Sequence, residues 1–391
     1  MSGANAAGLP NAAGLPSAAA WRGRRVFITG HTGFKGGWLV HWLHALGAQV
    51  CGYALPPSTT PNLFEVAGVA ALCEQHTLAD VRDAAALSAA VQAAQPELVL
   101  HLAAQPLVRA SYREPLETFS TNVMGTANLL EATRCCASVR AVVIVTTDKC
   151  YQEQTGEHTG GWPWPYRETD PLGGHDPYSA SKACTELVAA SYRSAFQFTE
   201  RGVGVATVRA GNVIGGGDWT PERLVPDLLA AFSAGQAVTL RSPHAVRPWQ
   251  HVLEPLAGYL LLAERLLAEP ARFASAWNFG PDAAQCQPVL ALVNGLQALA
   301  RADGIAVPEA RIEAPPAALH EAAALRLDAS KAQQQLGWQG RLSLAQALAL
   351  SWQWHAAWRA GADMAACTQA QIARFAAPAD MASAAPAAFS F

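Results

Sequence analysis

The stretch that most narrows the possible folds is Gly30-His31-Thr32-Gly33-Phe34-Lys35-Gly36, set between an apolar run and a helical pattern. Ahead of it Arg25-Val26-Phe27-Ile28-Thr29 reads as a buried strand. Behind it Leu39, Trp42, Leu43 and Leu46 recur at helical spacing until Gly47 supplies the stop. Glycines let a backbone turn sharply and approach a pyrophosphate, while the first turn of the helix offers unbonded N–H groups and positive dipole character. A glycine-rich turn alone is commonplace. Between a strand and a helix it is how a nucleotide-binding βα unit begins.

The rest of the chain repeats that grammar. Gln49 to Ala54, Glu97 to Leu102, Ala141 to Thr146 and Val203 to Arg209 read as further buried strands, with a helical segment from Pro115 to Cys136 among them. The expected fold is α/β, a doubly wound parallel sheet of the Rossmann kind over residues 23–210. After Gly211 the texture is less regular, with Gly215-Gly216-Gly217, a helix candidate from Leu224 to Ala234, and prolines at 243, 248, 255 and 270. A smaller C-terminal substrate-binding lobe over 211–358, partly interleaved with the first, fits that change. Residues 1–22, which repeat a Gly-Leu-Pro unit, and residues 376–391, rich in Ala and Pro, read as flexible tails.

With 391 residues, 51% of them hydrophobic and 15% charged, the chain can bury a large two-lobed core. A formal net charge of -3 with scattered lysines and arginines argues against a nucleic-acid partner. The most apolar helical run, Leu256 to Leu267, is broken by Glu264 and Arg265 and falls short of the ~18 residues of a membrane span. No membrane partner is expected. The N-terminus lacks the charged start and apolar core of a secretory signal, and the eight cysteines show no CxxC spacing. Together these imply a reducing, cytoplasmic setting.

Tyr178 and Lys182 stand one helical turn apart and so share a helix face, where the ammonium can stabilise a phenolate and bring it toward neutral pH. An unperturbed tyrosine, with a pKa of about 10, is a poor base. A Tyr-x-x-x-Lys pair by itself usually marks a solvated helix face. Downstream of a nucleotide-binding start it signals redox chemistry at an alcohol carbon. The pair His41 and His44 shares a helix face but has no carboxylate or cysteine companions, so no metal is expected.

The GxxGxxG spacing together with Tyr178 and Lys182 resembles the extended short-chain dehydrogenase/reductase family, the NAD-dependent epimerases and dehydratases. Longer strings carry the resemblance across residues 24–355: Gly30 through Trp38, Thr146-Thr147-Asp148-Lys149-Cys150-Tyr151, Pro171 through Tyr178, Arg209 through Trp219, Arg247 through Val252, and Leu336-Gly337-Trp338. They are most similar to the sugar-nucleotide 4,6-dehydratase branch that acts on CDP-glucose. The resemblance implies an NAD site formed by Gly30, Thr32, Gly33, Phe34, Lys35 and Gly36, by Asp80 and Val81 at the adenine, and by Leu102, Ala103, Ala104 and Gln105 along the dinucleotide. Thr121, Thr146, Tyr178 and Lys182 complete it. The second strand ends in Tyr53-Ala54-Leu55-Pro56, which has neither an acid for a ribose diol nor an arginine for a 2′-phosphate, so NAD is only mildly favoured over NADP on that ground.

In such an enzyme Tyr178 takes the O4 proton while NAD accepts hydride from C4, water leaves from C5 and C6, and the hydride returns to C6. The net change is a dehydration, so the resemblance implies a hydro-lyase of nucleotide-sugar metabolism, supplying deoxysugars for O-antigen and other lipopolysaccharide. Thr147, Asp148 and Lys149 stand where related dTDP-glucose enzymes carry an Asp-Glu pair. Asp148 is thus implied as the acid for the C6 hydroxyl, and Lys149, departing from that pattern, as a neutral amine base at C5, its pKa lowered by burial or by a neighbouring charge such as Lys182. Gln105, Asn212, Arg223, Arg247, Asn278 and Glu321 fall in strings that resemble the family's sugar-nucleotide segments, and an arginine fork suits a diphosphate. The resemblance also implies a homodimer built on the helices from Pro115 to Cys136 and from Tyr178 to Gln197. Two other readings stay open at this point. One is a dehydratase or 4-epimerase for a UDP, dTDP or GDP sugar. The other is a non-catalytic dinucleotide-binding regulator, which would have no need of Tyr178 and Lys182.

Overall fold

The computed structural model describes residues 14–153, 162, 164–313 and 324–377. Its centre is a seven-stranded sheet made of β1 (Arg25–Thr29), β2 (Gln49–Ala54), β3 (Gln75–Leu78), β4 (Leu98–His101), β5 (Ala141–Val145), β6 (Gly204–Ala210) and β7 (Ala276–Phe279). The spatial order is β7-β6-β5-β4-β1-β2-β3, and every neighbouring pair is parallel. The order reverses at β1 and β4, which leaves a crevice beyond the carboxyl ends of those strands. This is the doubly wound sheet that the alternation of strands and helices predicts.

Burial on both faces explains why the strands read as continuous apolar runs. Val26, Ile28, Leu98, Leu100 and Val143 face one core, closed by Trp38 and Leu39 of helix Phe34–Ala45 and by Leu256 and Leu260 of helix Leu253–Ala268. Phe27, Val99, Val142, Ile144 and Val205 alternate onto the other face, against Leu129, Leu130 and Ala189. A third core holds Leu228, Phe232, Leu292, Leu296 and Trp352, and belongs to the second lobe.

One expectation needs revision here. Residues 1–22 are not a flexible tail over their described part: residues 1–13 lie outside the described residues, but Leu15 and Trp21 are buried in the sheet's core. The indole N–H of Trp21 donates to Glu264 Oε1 at 2.7 Å, and the Ser17 N–H donates to the same oxygen at 2.8 Å. The tail at the other end, residues 376–391, lies almost wholly outside the described residues. The two lobes interleave at β7. After β6 the chain leaves to build the second lobe, returns along helix Leu253–Ala268 over the sheet, and only then adds β7 beside β6. Residues past 211 therefore contribute to both layers.

Candidate active site

The glycine turn is shaped by backbone contact. Gly30 has φ +81°, and a Cβ there would lie 2.7 Å from the Ala103 nitrogen. A Cβ on Gly36 would meet the Gly30 carbonyl oxygen at 2.0 Å. Only glycine fits either place. Gly33 caps helix Phe34–Ala45 with no side-chain hydrogen bond, so the first-turn N–H groups face the crevice as an anion cradle. The donor set and the space suit a dinucleotide pyrophosphate. Thr32 donates its hydroxyl to the Leu55 carbonyl at 2.9 Å, tying the turn to the end of β2.

Asp80 and Val81 follow β3, and Leu102 to Gln105 follow β4, so both segments reach the same carboxyl edge. Asp80 is ion-paired to Arg82 at 2.6 Å, which holds its carboxyl below the usual range, and its carbonyl accepts from the Tyr53 hydroxyl at 3.0 Å. Thr121 sits in a widened helical turn, Ser120–Met124, between helices Pro115–Phe119 and Gly125–Arg134. Such single-turn insertions are frequent at functional sites.

Tyr178 and Lys182 lie on helix Pro177–Ala195, started by Asp176, whose carboxylate accepts from the Ser179 N–H at 2.9 Å. Beside them, β5 ends in Thr146 and Thr147 and a tight turn, Asp148–Cys150. The Thr147 hydroxyl donates to Asp148 Oδ1 at 3.0 Å, and Tyr178 lines the same cavity beside them. Asp148 is buried, and loss of water raises its pKa against the pull of Lys149, the Thr147 hydroxyl, Arg247 and Lys35. A raised carboxyl pKa is the direction a proton donor needs.

The tyrosine–lysine relation differs from the expectation. Burial pushes Tyr178 up to about 12, with the Thr147 hydrogen bond the main opposing influence. Lys182 points its ammonium at the Val145 carbonyl, 3.1 Å away, and burial lowers it to about 8. In this structure the lysine is spent on the end of β5 rather than on the phenol.

A cavity of about 530 Å³ opens between the lobes, in the range of small-ligand sites. Its walls include Tyr178, Thr147, Asp148 and Lys149 from the sheet side and Asn212, Arg223 and Arg247 from the second lobe. Arg223 is ion-paired with Asp218 at 3.1 Å. Lys149 is half-buried beside Asp148. At the cavity's rim Arg113 of helix Val108–Arg113 bridges to Glu222 at 3.0 Å, and Glu222 itself has φ +63°.

Three candidates do not join this group. Asn278 is fully buried in β7, accepting from the Tyr151 hydroxyl at 2.7 Å and donating to the Tyr166 and Asp328 carbonyls, so its amide is occupied by the core. Gln105 turns its amide inward, donating to Thr118 Oγ1 at 2.8 Å, and does not line the cavity. Glu321 lies outside the described residues. Thr146 also spends its hydroxyl internally, on Glu186 Oε1 at 2.5 Å.

Glu186 is part of what the motifs did not single out. It lies one turn past Lys182 on the same helix face and receives a two-pronged bond from Arg209, 2.9 Å from Nε to Oε1 and 2.8 Å from Nη2 to Oε2. Arg209 also donates to the Tyr151 hydroxyl at 2.8 Å, and Tyr151 stacks on Tyr166. This buried ion pair fastens helix Pro177–Ala195 to β6. The spacing 178, 182, 186 was its only trace in the sequence. His41 is buried and hydrogen-bonds the Ala67 carbonyl at 3.0 Å, and among the described residues no group of three or more His, Cys, Asp or Glu side chains could share a metal ion.

The sheet order, the glycine turn and the tyrosine–lysine helix together define the extended short-chain dehydrogenase/reductase class. Within it, the model of the GDP-mannose 4,6 dehydratase family matches residues 27–350, and the chain belongs to that family of sugar-nucleotide dehydratases. It is 48% identical over 359 residues to the CDP-glucose 4,6-dehydratase of Salmonella typhimurium, covering 91% of this chain and 97% of that one. It is 28% identical over 346 residues to a dTDP-glucose 4,6-dehydratase of Xanthomonas campestris, covering 84% and 92% of the two. Among solved structures, DesIV of Streptomyces venezuelae, a dTDP-glucose 4,6-dehydratase with NAD and TYD bound, superposes with a TM-score of 0.70 at 25% identity, over 87% of this chain and 99% of that one. The UDP-glucose 4-epimerase of Thermotoga maritima shares the fold, with a TM-score of 0.71 at 23% identity over 86% and 99% of the two chains.

Proposed function

We propose that the protein converts CDP-glucose to CDP-4-keto-6-deoxyglucose. The observation that carries this reading is the convergence of Tyr178, Thr147, Asp148 and Lys149 on one cavity wall. The near-full-length likeness to a CDP-glucose 4,6-dehydratase supports the choice of nucleotide.

NAD, held by the glycine turn and the ends of β3 and β4, supplies acceptance of hydride from C4 and its return at C6. The protein's own groups handle protons. Tyr178 takes the proton of O4 as C4 becomes a carbonyl, which acidifies the proton on C5. Lys149 removes that proton, and the C5–H electron pair forms the C5–C6 double bond as the C6–O bond breaks. Asp148 protonates the departing hydroxyl, so water leaves and a carboxylate remains. Lys149 returns a proton to C5 at the end. Asn212, Arg223 and Arg247 bind the sugar nucleotide from the second lobe, the two guanidiniums suiting its diphosphate. A 4-epimerase needs no elimination acid, and the buried Asp148 disfavours it.

The test is to incubate the purified protein separately with CDP-, UDP-, dTDP- and GDP-sugars and follow the 4-keto product. CDP-glucose is expected to be turned over most efficiently. Preference for another nucleotide would retain the reaction and change the substrate.

The dimer is part of the same reading. Leu116 and Met124, on the helical stretch that begins at Pro115, and Leu187 on helix Pro177–Ala195 are exposed at 82%, 55% and 59%, more apolar surface than two adjacent helices ordinarily leave in water. A solution mass at least twice the 41.1 kDa of the chain is expected at micromolar concentration. A strictly monomeric mass would remove this claim. All eight cysteines are free, which supports a cytoplasmic enzyme, and no described helix is long and apolar enough to cross a membrane. The product's 4-keto group and missing C6 hydroxyl suit it as a precursor of deoxysugars for O-antigen and lipopolysaccharide.

A further inference from the structure

Of the glycine turn 30–36, Lys35 alone lines the sugar cavity. This side chain lines the same cavity as Thr147, Asp148, Tyr178 and Arg223. Its charge neighbours are those of the reaction, not of a pyrophosphate: Arg223 and Lys182 oppose its ammonium, while Asp148 and Asp218 favour it. Burial brings it down to about 8, so the ammonium persists at neutral pH. Asp218 is already engaged by Arg223 at 3.1 Å, and Asp148, which lines the same cavity as Lys35, is the other acid whose charge favours its ammonium.

We propose that Lys35 is a positioning residue of the elimination step, holding the carboxylate that Asp148 becomes when it gives its proton to the departing C6 hydroxyl. This rests on the acid role of Asp148 proposed above. The balance of charge is the reason. As the acid of the step, Asp148 carries its proton beforehand and costs little to bury. After the C6–O bond breaks and water forms, a buried carboxylate remains among the cations Lys149, Arg247 and Lys35, and a buried charge is expensive unless it is paired. Lys35 meets it with a fixed cation. The interaction is strongest after proton transfer, so it lowers the barrier to elimination and contributes little to sugar binding. The same lysine at the start of the cofactor's helix thereby links the cofactor cradle to the acid.

The test compares the parent, Lys35→Met, Lys35→Arg, Asp148→Asn and the double variant Lys35→Met/Asp148→Asn. Calorimetry measures NAD affinity, absorbance follows reduced cofactor on the enzyme, and product is assayed separately. For Lys35→Met the expectation is NAD affinity near the parent's, sugar oxidation near the parent's, and product formation slower by about 10- to 100-fold, the range of one charge-assisted contact. Reduced cofactor then accumulates. Lys35→Arg should restore most of the rate. In the Asp148→Asn background, removing Lys35 should cost less than about twofold, because its partner can no longer become charged.

Weaker NAD binding with normal product formation at saturating NAD would make Lys35 a cofactor ligand and overturn the proposal. So would losses that multiply in the double variant. If Lys35→Met melts early, Lys35→Gln, polar and uncharged, carries the same comparison. Failure of the parent to dehydrate CDP-glucose or any other sugar nucleotide would instead overturn the reaction itself, a result distinct from a fast Lys35→Met enzyme.

Discussion

Tyr178→Phe is expected to lower sugar oxidation by about a thousandfold while leaving NAD binding intact, in keeping with the usual worth of a positioned general base. Only the phenolic oxygen is lost. The ring stays in its buried place, and loss of one hydroxyl costs about 1 kcal/mol, too little to unfold a domain of this size. Lys182→Ala should harm both oxidation and cofactor binding, since its ammonium anchors the Val145 carbonyl at the strand end that borders the NAD crevice. The measurement is the burst of reduced cofactor on mixing with CDP-glucose, alongside calorimetric NAD affinity. A phenylalanine enzyme that oxidised the sugar near the parental rate would show that Tyr178 is not the base.

Lys149→Met should separate the two halves of the reaction. Hydride removal from C4 depends on Tyr178 and NAD, so the variant oxidises bound sugar and then stalls, with reduced cofactor visible on the enzyme and 6-deoxy product slower by about 100-fold or more. Asp148→Asn should stall at the same place, though less completely. Its amide oxygen can still accept from the Thr147 hydroxyl, but it has no proton of sufficient acidity for the leaving group. Product release by Lys149→Met at the parental rate would assign C5 deprotonation to another group, Tyr178 or a water.

Much of this architecture could be read before any coordinates, and the reason is local. β1, the glycine turn and helix Phe34–Ala45 are written into adjacent residues: an apolar run, glycines that backbone contact requires, then helical spacing. β7 is different. Ala276-Trp277-Asn278-Phe279 is short, shows no alternation, and pairs with a strand from which the whole start of the second lobe separates it. Trp21 gave no warning because the Gly-Leu-Pro background around it is what disorder looks like, and its burial depends on an acceptor, Glu264, on a distant helix.

The site divides along the same line. Motif spacing placed Thr147, Asp148, Lys149 and Tyr178 around one cavity because they sit at consecutive strand and helix ends. Spacing carries no information on where a flexible side chain goes. Lys35, on the glycine turn, also lines the cavity, while Gln105 and Asn278, whose amides serve a ligand or a core equally well, were turned inward by Thr118 and Tyr151.

The Glu186–Arg209 pair bears on how mutational scans of this protein should be scored. Both side chains are only 3% exposed, and removing either strands the other's charge in the interior, a penalty of about 3–5 kcal/mol. Helix Pro177–Ala195 would then lose its fastening to β6, and Tyr178 its alignment, without any reacting group being touched. A growth selection would rank such variants with Tyr178→Phe. Abundance or melting data separate the two, since the phenylalanine enzyme accumulates as folded protein and the uncoupled ion-pair variants do not.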